Sequence, residues 1–168
     1  MSDYASWYEG LTAIFRKHPR LITALRLVTR VLTYLMYAVY PLFLLSLLLR
    51  FSWGNELALA VIIPGAAFVI LSLVRKKLNR PRPYEVWNIQ PLLVKDTKGQ
   101  SMPSRHTFSA SLISGCVWIY YTRLGALLLV LSMLLALCRV LGGVHFPRDV
   151  IVGYLLGLVS ASLLLIFA

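Results

Sequence analysis

The stretch LGALLLVLSMLLALCRVLGGVHFPRD, residues 124–149, governs the reading of the chain. Its first eighteen residues are apolar apart from Ser132 and Arg139. A helix crosses the ~30 Å hydrocarbon layer with about 20 such residues, at about 1.5 Å of rise each. The run then ends in Arg139, a Gly142-Gly143 turn, His145, and Asp149 just behind Pro147. One stretch therefore predicts a membrane span and, at its end, a cluster of groups able to bind anions and move protons.

Outward from it, runs of similar character occupy 31–49, 57–74, 107–121 and 150–167, which with 124–141 makes five expected spans. The composition agrees: 59% of the 168 residues are hydrophobic and 14% charged, with a mean hydropathy of +0.76, too apolar for a soluble domain of this length. The expected fold is all-α, an integral membrane helical bundle of about five transmembrane helices, with one domain over 1–168. Within it, 1–30 is expected to form an amphipathic segment and 31–168 the bundle. Trp7, Leu11, Ile14 and Phe15 recur at helical spacing near Arg16, Lys17 and Arg20. They read either as a helix lying in the interface or as one packed outside the bundle, interrupted at Pro19. No short apolar core with a cleavage site opens the chain, so its start is expected to be part of the mature protein. Trp53, Trp87, Tyr120 and Tyr121 fall near span ends, where interfacial belts form. Cys116 and Cys138 lie in apolar runs without CxxC spacing and read as buried thiols.

The net charge of +11 sits beside spans rather than on a soluble face, which argues against nucleic acid and for anionic headgroups or a phosphorylated substrate. The acids Asp3, Glu9, Glu56, Glu85, Asp96 and Asp149 form no cluster for Mg²⁺ or a two-metal site, so no metal and no cofactor is expected. Span order puts 75–106 and 142–149 on one face with the N-terminus, and the turns at 50–56 and 122–123 on the other with the C-terminus. Three clusters thereby share a face. The first is Arg75-Lys76-Lys77-Leu78-Asn79-Arg80-Pro81-Arg82-Pro83. The second, Ser101-Met102-Pro103-Ser104-Arg105-His106, stands where a span begins, so free backbone N–H groups and a positive helix end make an anion site. The third holds Arg139, costly at a span end without a partner or an anionic ligand. In it His145 and Asp149 are four apart, which lets the carboxylate orient one ring nitrogen and free the other. Together they offer phosphoryl transfer its cations, a nucleophile and an acid. His18, in the basic N-terminal segment, reads as structural.

These residues resemble the type 2 phosphatidic acid phosphatase superfamily, lipid phosphatases related to vanadium haloperoxidases. The family pattern is Lys-x6-Arg-Pro, then Pro-Ser-Gly-His, then Ser-Arg-x5-His-x3-Asp. Here Arg82-Pro83 end the first motif, Pro103-Ser104-Arg105-His106 form the second, and Arg139-x5-His145-x3-Asp149 the third, a match running from about residue 57 onward. Arg75 stands at the usual lysine, Arg105 at the glycine and Cys138 at the serine. The resemblance implies that His145 attacks phosphorus to form a phosphohistidine, with Asp149 orienting it, and that His106 protonates the departing oxygen. It implies that Arg75, Arg82, Ser104, Arg139 and the Arg105 amide hold the phosphoryl oxygens; the Arg105 side chain, a departure from the family's glycine, is expected to meet a second phosphate or to point to the interface.

The expected substrate is a lipid phosphate or an isoprenyl diphosphate such as undecaprenyl diphosphate, met among membrane lipids. Alternatives are transfer of phosphate from a lipid diphosphate to another acceptor, and a non-catalytic protein that binds anionic lipid. Of the 17 Lys and Arg residues, all but Arg50 and Arg123 lie on the cluster face. That bias favours the cytoplasmic side, whereas the resemblance implies the outer face, which is the expectation. Oligomeric state is not readable.

Overall fold

His18 and Pro19 divide the N-terminal part of the chain. In the computed structural model, which describes residues 4–51, 54–94 and 97–167, α1 runs over Tyr4–Lys17 and α2 over Pro19–Phe51. Asp3, Asp96 and Trp53 lie outside the described residues. Pro19 suits the first position of a helix, where its missing N–H would have no partner. Then come α3 (Asn55–Leu78), a short α4 (Pro83–Val86), α5 (Arg105–Tyr120), α6 (Thr122–Leu141) and α7 (Pro147–Phe167). Among the described residues the regular structure is all helical.

The expected break at Pro19 is present, and the helix that carries the expected first span at 31–49 begins at Pro19 rather than at residue 31. α2 is continuous for 33 residues, about 50 Å at helical rise, so the division at 30/31 falls inside a helix. Nothing between Leu21 and Arg30 stops a helix: the segment holds neither glycine nor proline. Its arginines can extend beyond the apolar layer because the helix outreaches the ~30 Å hydrocarbon.

α2, α3, α6 and α7 are each long and apolar enough to cross a membrane. The fifth expected span, 107–121, is α5, which at 16 residues rises only about 24 Å. It lies inside the bundle, with Phe108, Ala110, Leu112, Cys116 and Val117 nearly inaccessible. Its shorter length is therefore met by protein rather than lipid. Outward-facing Leu42, Leu49, Val130, Ile151 and Leu165 are exposed on the surrounding helices, as a lipid-facing surface requires.

Small residues bring α5 and α7 together. Gly153 and Gly157 are four apart, and a Cβ at Gly157 would meet Ser111 Oγ, with Phe108 O at 2.6 Å. A Cβ at Gly153 would lie 2.7 Å from Ser104 O, and one at Gly115 would lie 2.6 Å from Ala161 Cβ. Membrane helices approach closely where such residues face each other, since dispersion and interhelical hydrogen bonds replace the hydrophobic effect there. Ser111 Oγ donates across this seam to Tyr154 O at 3.0 Å.

α1 satisfies both readings of the amphipathic segment, on different faces. Tyr8 and Thr12 are buried against the protein, while Trp7, Leu11 and Ile14 face outward. Tyr120 and Tyr121, expected in a belt, also pack on the bundle: Tyr120 meets Phe43 at 5.6 Å and Tyr121 Oη donates to Ser46 Oγ at 3.1 Å.

Candidate active site

The three clusters converge at one end of the bundle. The Ser104 N–H donates to Asp149 O at 2.9 Å, tying the start of α5 to the start of α7. Arg75, at the end of α3, donates through Nη1 to Pro103 O and through Nη2 to Gln100 O. Arg82 donates from Nε to Gly99 O at 3.0 Å and from Nη1 to Val144 O at 2.9 Å. Both guanidiniums are buried, and each spends only part of its five N–H donors on the loops. They therefore hold the site's backbone together while keeping positive charge inside it. Burial pulls Arg82 below its ordinary value, yet an arginine of this kind stays ionised.

At the centre is an aligned trio. Asp149 Oδ2 accepts from Ser101 Oγ at 2.5 Å and from the Phe146 N–H at 3.0 Å. Ser101 Oγ lies 3.4 Å from His145 Nδ1, and Asp149 Oδ2 lies 3.9 Å from the same nitrogen. A serine has one hydroxyl proton. Donating it to the carboxylate leaves a lone pair facing Nδ1, so Nδ1 carries the ring hydrogen and Nε2 is left as the free base. Burial holds the His145 imidazole below its ordinary 6.5, reinforced by Arg139 and Arg82 and opposed by Asp149. The neutral form at physiological pH is the one a nucleophile needs.

Arg139, in the last turn of α6, is 7% exposed. Its Nε is buried without a hydrogen-bond partner. It borders a cavity of about 490 Å³ between α2 and α6, together with Arg26, Arg30, Thr33 and Tyr37. Thr33 and Tyr37 also border an adjoining cavity of about 210 Å³, lined as well by Arg105, His106, Met36, Ile113 and Leu135. The Arg105 guanidinium stands 5.7 Å over the Phe68 ring, a cation–π contact. Ser104 is buried, its Oγ 3.0 Å from Thr107 Oγ1.

Direct bonds thus join Arg75, Arg82, Ser104, His145 and Asp149 to one set of loops, while Arg139, Arg105 and His106 face the two cavities beside it. Sequence reasoning assigned no role to Ser101 or Glu85. Glu85 accepts from the Gly99 N–H at 2.9 Å and from the Arg82 N–H at 2.7 Å, fixing the long loop. It also left out Tyr8, whose Oη donates to Leu141 O at 2.9 Å. Tyr8 Oη would lie 2.6 Å from a Cβ at Gly143, where φ is +71°, so the turn before His145 is closed by α1. Among the described residues no three His, Cys, Asp or Glu side chains gather as a cation site.

A family model described as the PAP2 superfamily matches residues 53–168. The "Bacitracin transport permease protein BcrC" of Bacillus licheniformis is 30% identical over 131 residues, which are 74% of this chain. The chain spans 64% of the length of that relative. The crystal structure of Aquifex aeolicus LpxE superposes with a TM-score of 0.70 at 26% identity, covering 96% of this chain and 94% of that one. That of the first transmembrane PAP2 type phosphatidylglycerolphosphate phosphatase from Bacillus subtilis gives a TM-score of 0.55 over 96% of this chain and 92% of that one; at 21% identity it speaks for the fold alone.

Proposed function

The chain belongs to the PAP2 superfamily, and from that premise we propose that it is a membrane phosphatase hydrolysing a lipid phosphate or an isoprenyl diphosphate through a phosphohistidine. One observation carries the reading: the Asp149–Ser101–His145 alignment stands beside three buried arginines brought from distant segments. Arg75, Arg82 and Arg139 supply the charge that phosphoryl transfer requires, in a fork geometry suited to pairs of phosphate oxygens.

In the first step the Nε2 lone pair of His145 attacks phosphorus. The N–P bond forms as the bond to the bridging oxygen breaks, and that oxygen keeps the electron pair and takes a proton from His106. Water then attacks the phosphohistidine. The N–P bond breaks, its pair returns to Nε2, and the water's proton restores His106 as orthophosphate leaves. Asp149 and Ser101 keep Nδ1 protonated throughout, so Nε2 faces the substrate in both steps.

Replacing His145 by Ala is expected to lower phosphate release from a detergent-solubilised lipid phosphate by about four orders of magnitude or more, with elution and melting unchanged. Turnover at the wild-type rate rejects the nucleophile.

We also place the site on the outer face. The excess of Lys and Arg on this side argues otherwise. However, Arg75, Arg82 and Arg139 are buried in the site, and Arg16 and Arg26 bond loop carbonyls, so much of the excess has structural work. A cysteine at position 98 is expected to react with an impermeant maleimide on intact cells; labelling only after lysis reverses the orientation.

A further inference from the structure

Arg26 and Arg30 lie four residues apart, so both leave α2 on one face. Like charges at that spacing weaken a helix unless an anion lies between them. Both border the cavity of about 490 Å³ that Arg139 closes from α6. Arg26 is fixed there by Nε donating to Leu92 O at 3.1 Å, which leaves its terminal nitrogens free to reach past the loop. Opposite stands the Nε of Arg139, buried and without a partner. Two exposed cations and one buried cation therefore surround a volume far larger than a water molecule, and neither Arg26 nor Arg30 belongs to any of the three clusters around the trio.

We propose that this cavity is a second phosphate subsite, and that it makes the substrate class a lipid diphosphate rather than a lipid monophosphate. The inference deepens the phosphatase reading and rests on it. In a diphosphate the terminal phosphoryl group meets His145, while the inner phosphate, which leaves attached to the lipid, is charged and must be held close by. Arg139 stands between the two places: its carbonyl accepts from the Val144 N–H at 3.3 Å, next to His145, and the residue borders the α2 cavity. The adjoining cavity shares Thr33 and Tyr37 with this one and is lined by His106 together with the apolar Met36, Ile113 and Leu135, against which the start of a hydrocarbon chain would lie. A monophosphate ester places no second charge between Arg139, Arg26 and Arg30. Anchoring to bulk anionic lipid, the competing use of surface arginines, requires no buried guanidinium facing inward.

The test compares kcat/KM for a lipid diphosphate with that for a lipid monophosphate of the same chain, in neutral detergent. Arg30→Gln is expected to lower the ratio about ten-fold, and Arg30→Lys, which keeps the charge, to restore most of it. Arg26→Gln/Arg30→Gln is expected to lower it further. Equal falls for both substrates, or an unchanged ratio, overturn the subsite and leave the hydrolase reading intact. A binding measurement covers the opposite case, in which the wild type hydrolyses neither lipid. Inorganic pyrophosphate is expected to bind the wild-type protein more tightly than orthophosphate, with Arg30→Gln erasing the difference. Equal binding of the two anions by the wild type overturns the proposal whatever the turnover. Arg30→Gln alone decides the matter if the double variant does not fold.

Discussion

Where α5 meets α7, backbones touch: Gly153 and Gly157 leave no room for a Cβ against Ser104, Phe108 and Ser111. Where α1 and the first turns of α2 meet the same end of the bundle, contact is made by side-chain tips. Tyr8 reaches Leu141 O, Arg16 reaches Gln90 O at 2.7 Å, and Arg26 reaches Leu92 O. The seam fixes Ser104 and Asp149 relative to each other, since the Ser104–Asp149 backbone bond runs across it. The arm closes the loops and offers cations from outside. On the proposed function, positioning a nucleophile tolerates little displacement, whereas gathering an anion asks for charge and reach, and the two regions would supply one each.

The widest expected contrast is between glycines. Gly157→Ala forces a methyl group into Ser111 and the Phe108 carbonyl, and overpacking of this kind costs about 3 kcal/mol. At Gly10, on α1, an added methyl group would have nothing within 4 Å, so Gly10→Ala is expected to gain about 0.5 kcal/mol from helix propensity. Thermal unfolding in detergent reads both. Similar melting shifts in the two variants would erase the distinction between seam and arm.

Next is the response to acid. The unfolded chain takes up a proton on His145 near the ordinary value of about 6.5, while the folded chain resists it because burial lowers the imidazole. Stability is therefore complete above about 6.5 and is lost as pH falls toward the lower folded value. Between pH 7.5 and 5 that difference is about 2 kcal/mol. Unfolding measured at both pH values is expected to show His145→Gln losing less stability than wild type over that range. Parallel losses would mean that the seam leaves the ring in ordinary surroundings.

Much of the candidate site's arrangement was legible in the sequence, because Arg139, His145 and Asp149 lie within one span end and one helix turn. Their spacing is local and fixes their geometry. Ser101 was not legible in its role, since its carboxylate partner is 48 residues away and only packing brings them together. Hydropathy also could not tell that α5 is wrapped by protein rather than lipid, because both surroundings select the same residues. The extent of α2 was not legible for a related reason. Arginines among leucines between 20 and 30 read as an interfacial segment, whereas the continuous α2 carries them upward beside Arg139.

The smallest expected effect tests how arm and seam are joined. Tyr8 Oη donates to Leu141 O and accepts from the Leu92 N–H at 3.4 Å. Tyr8→Phe keeps the ring in its buried place and removes only this link, leaving a carbonyl and an amide short of a partner, a loss of about 1 kcal/mol. Because Tyr8 also lies against Gly143, the turn carrying His145 gains freedom. The rate of lipid phosphate hydrolysis is then expected to fall a few-fold, through kcat more than KM, since the cations that gather substrate are untouched. A fall confined to KM would place Tyr8 with the anion-gathering arm alone; a fall in kcat shows that α1 helps hold the nucleophile from the far side of the loop.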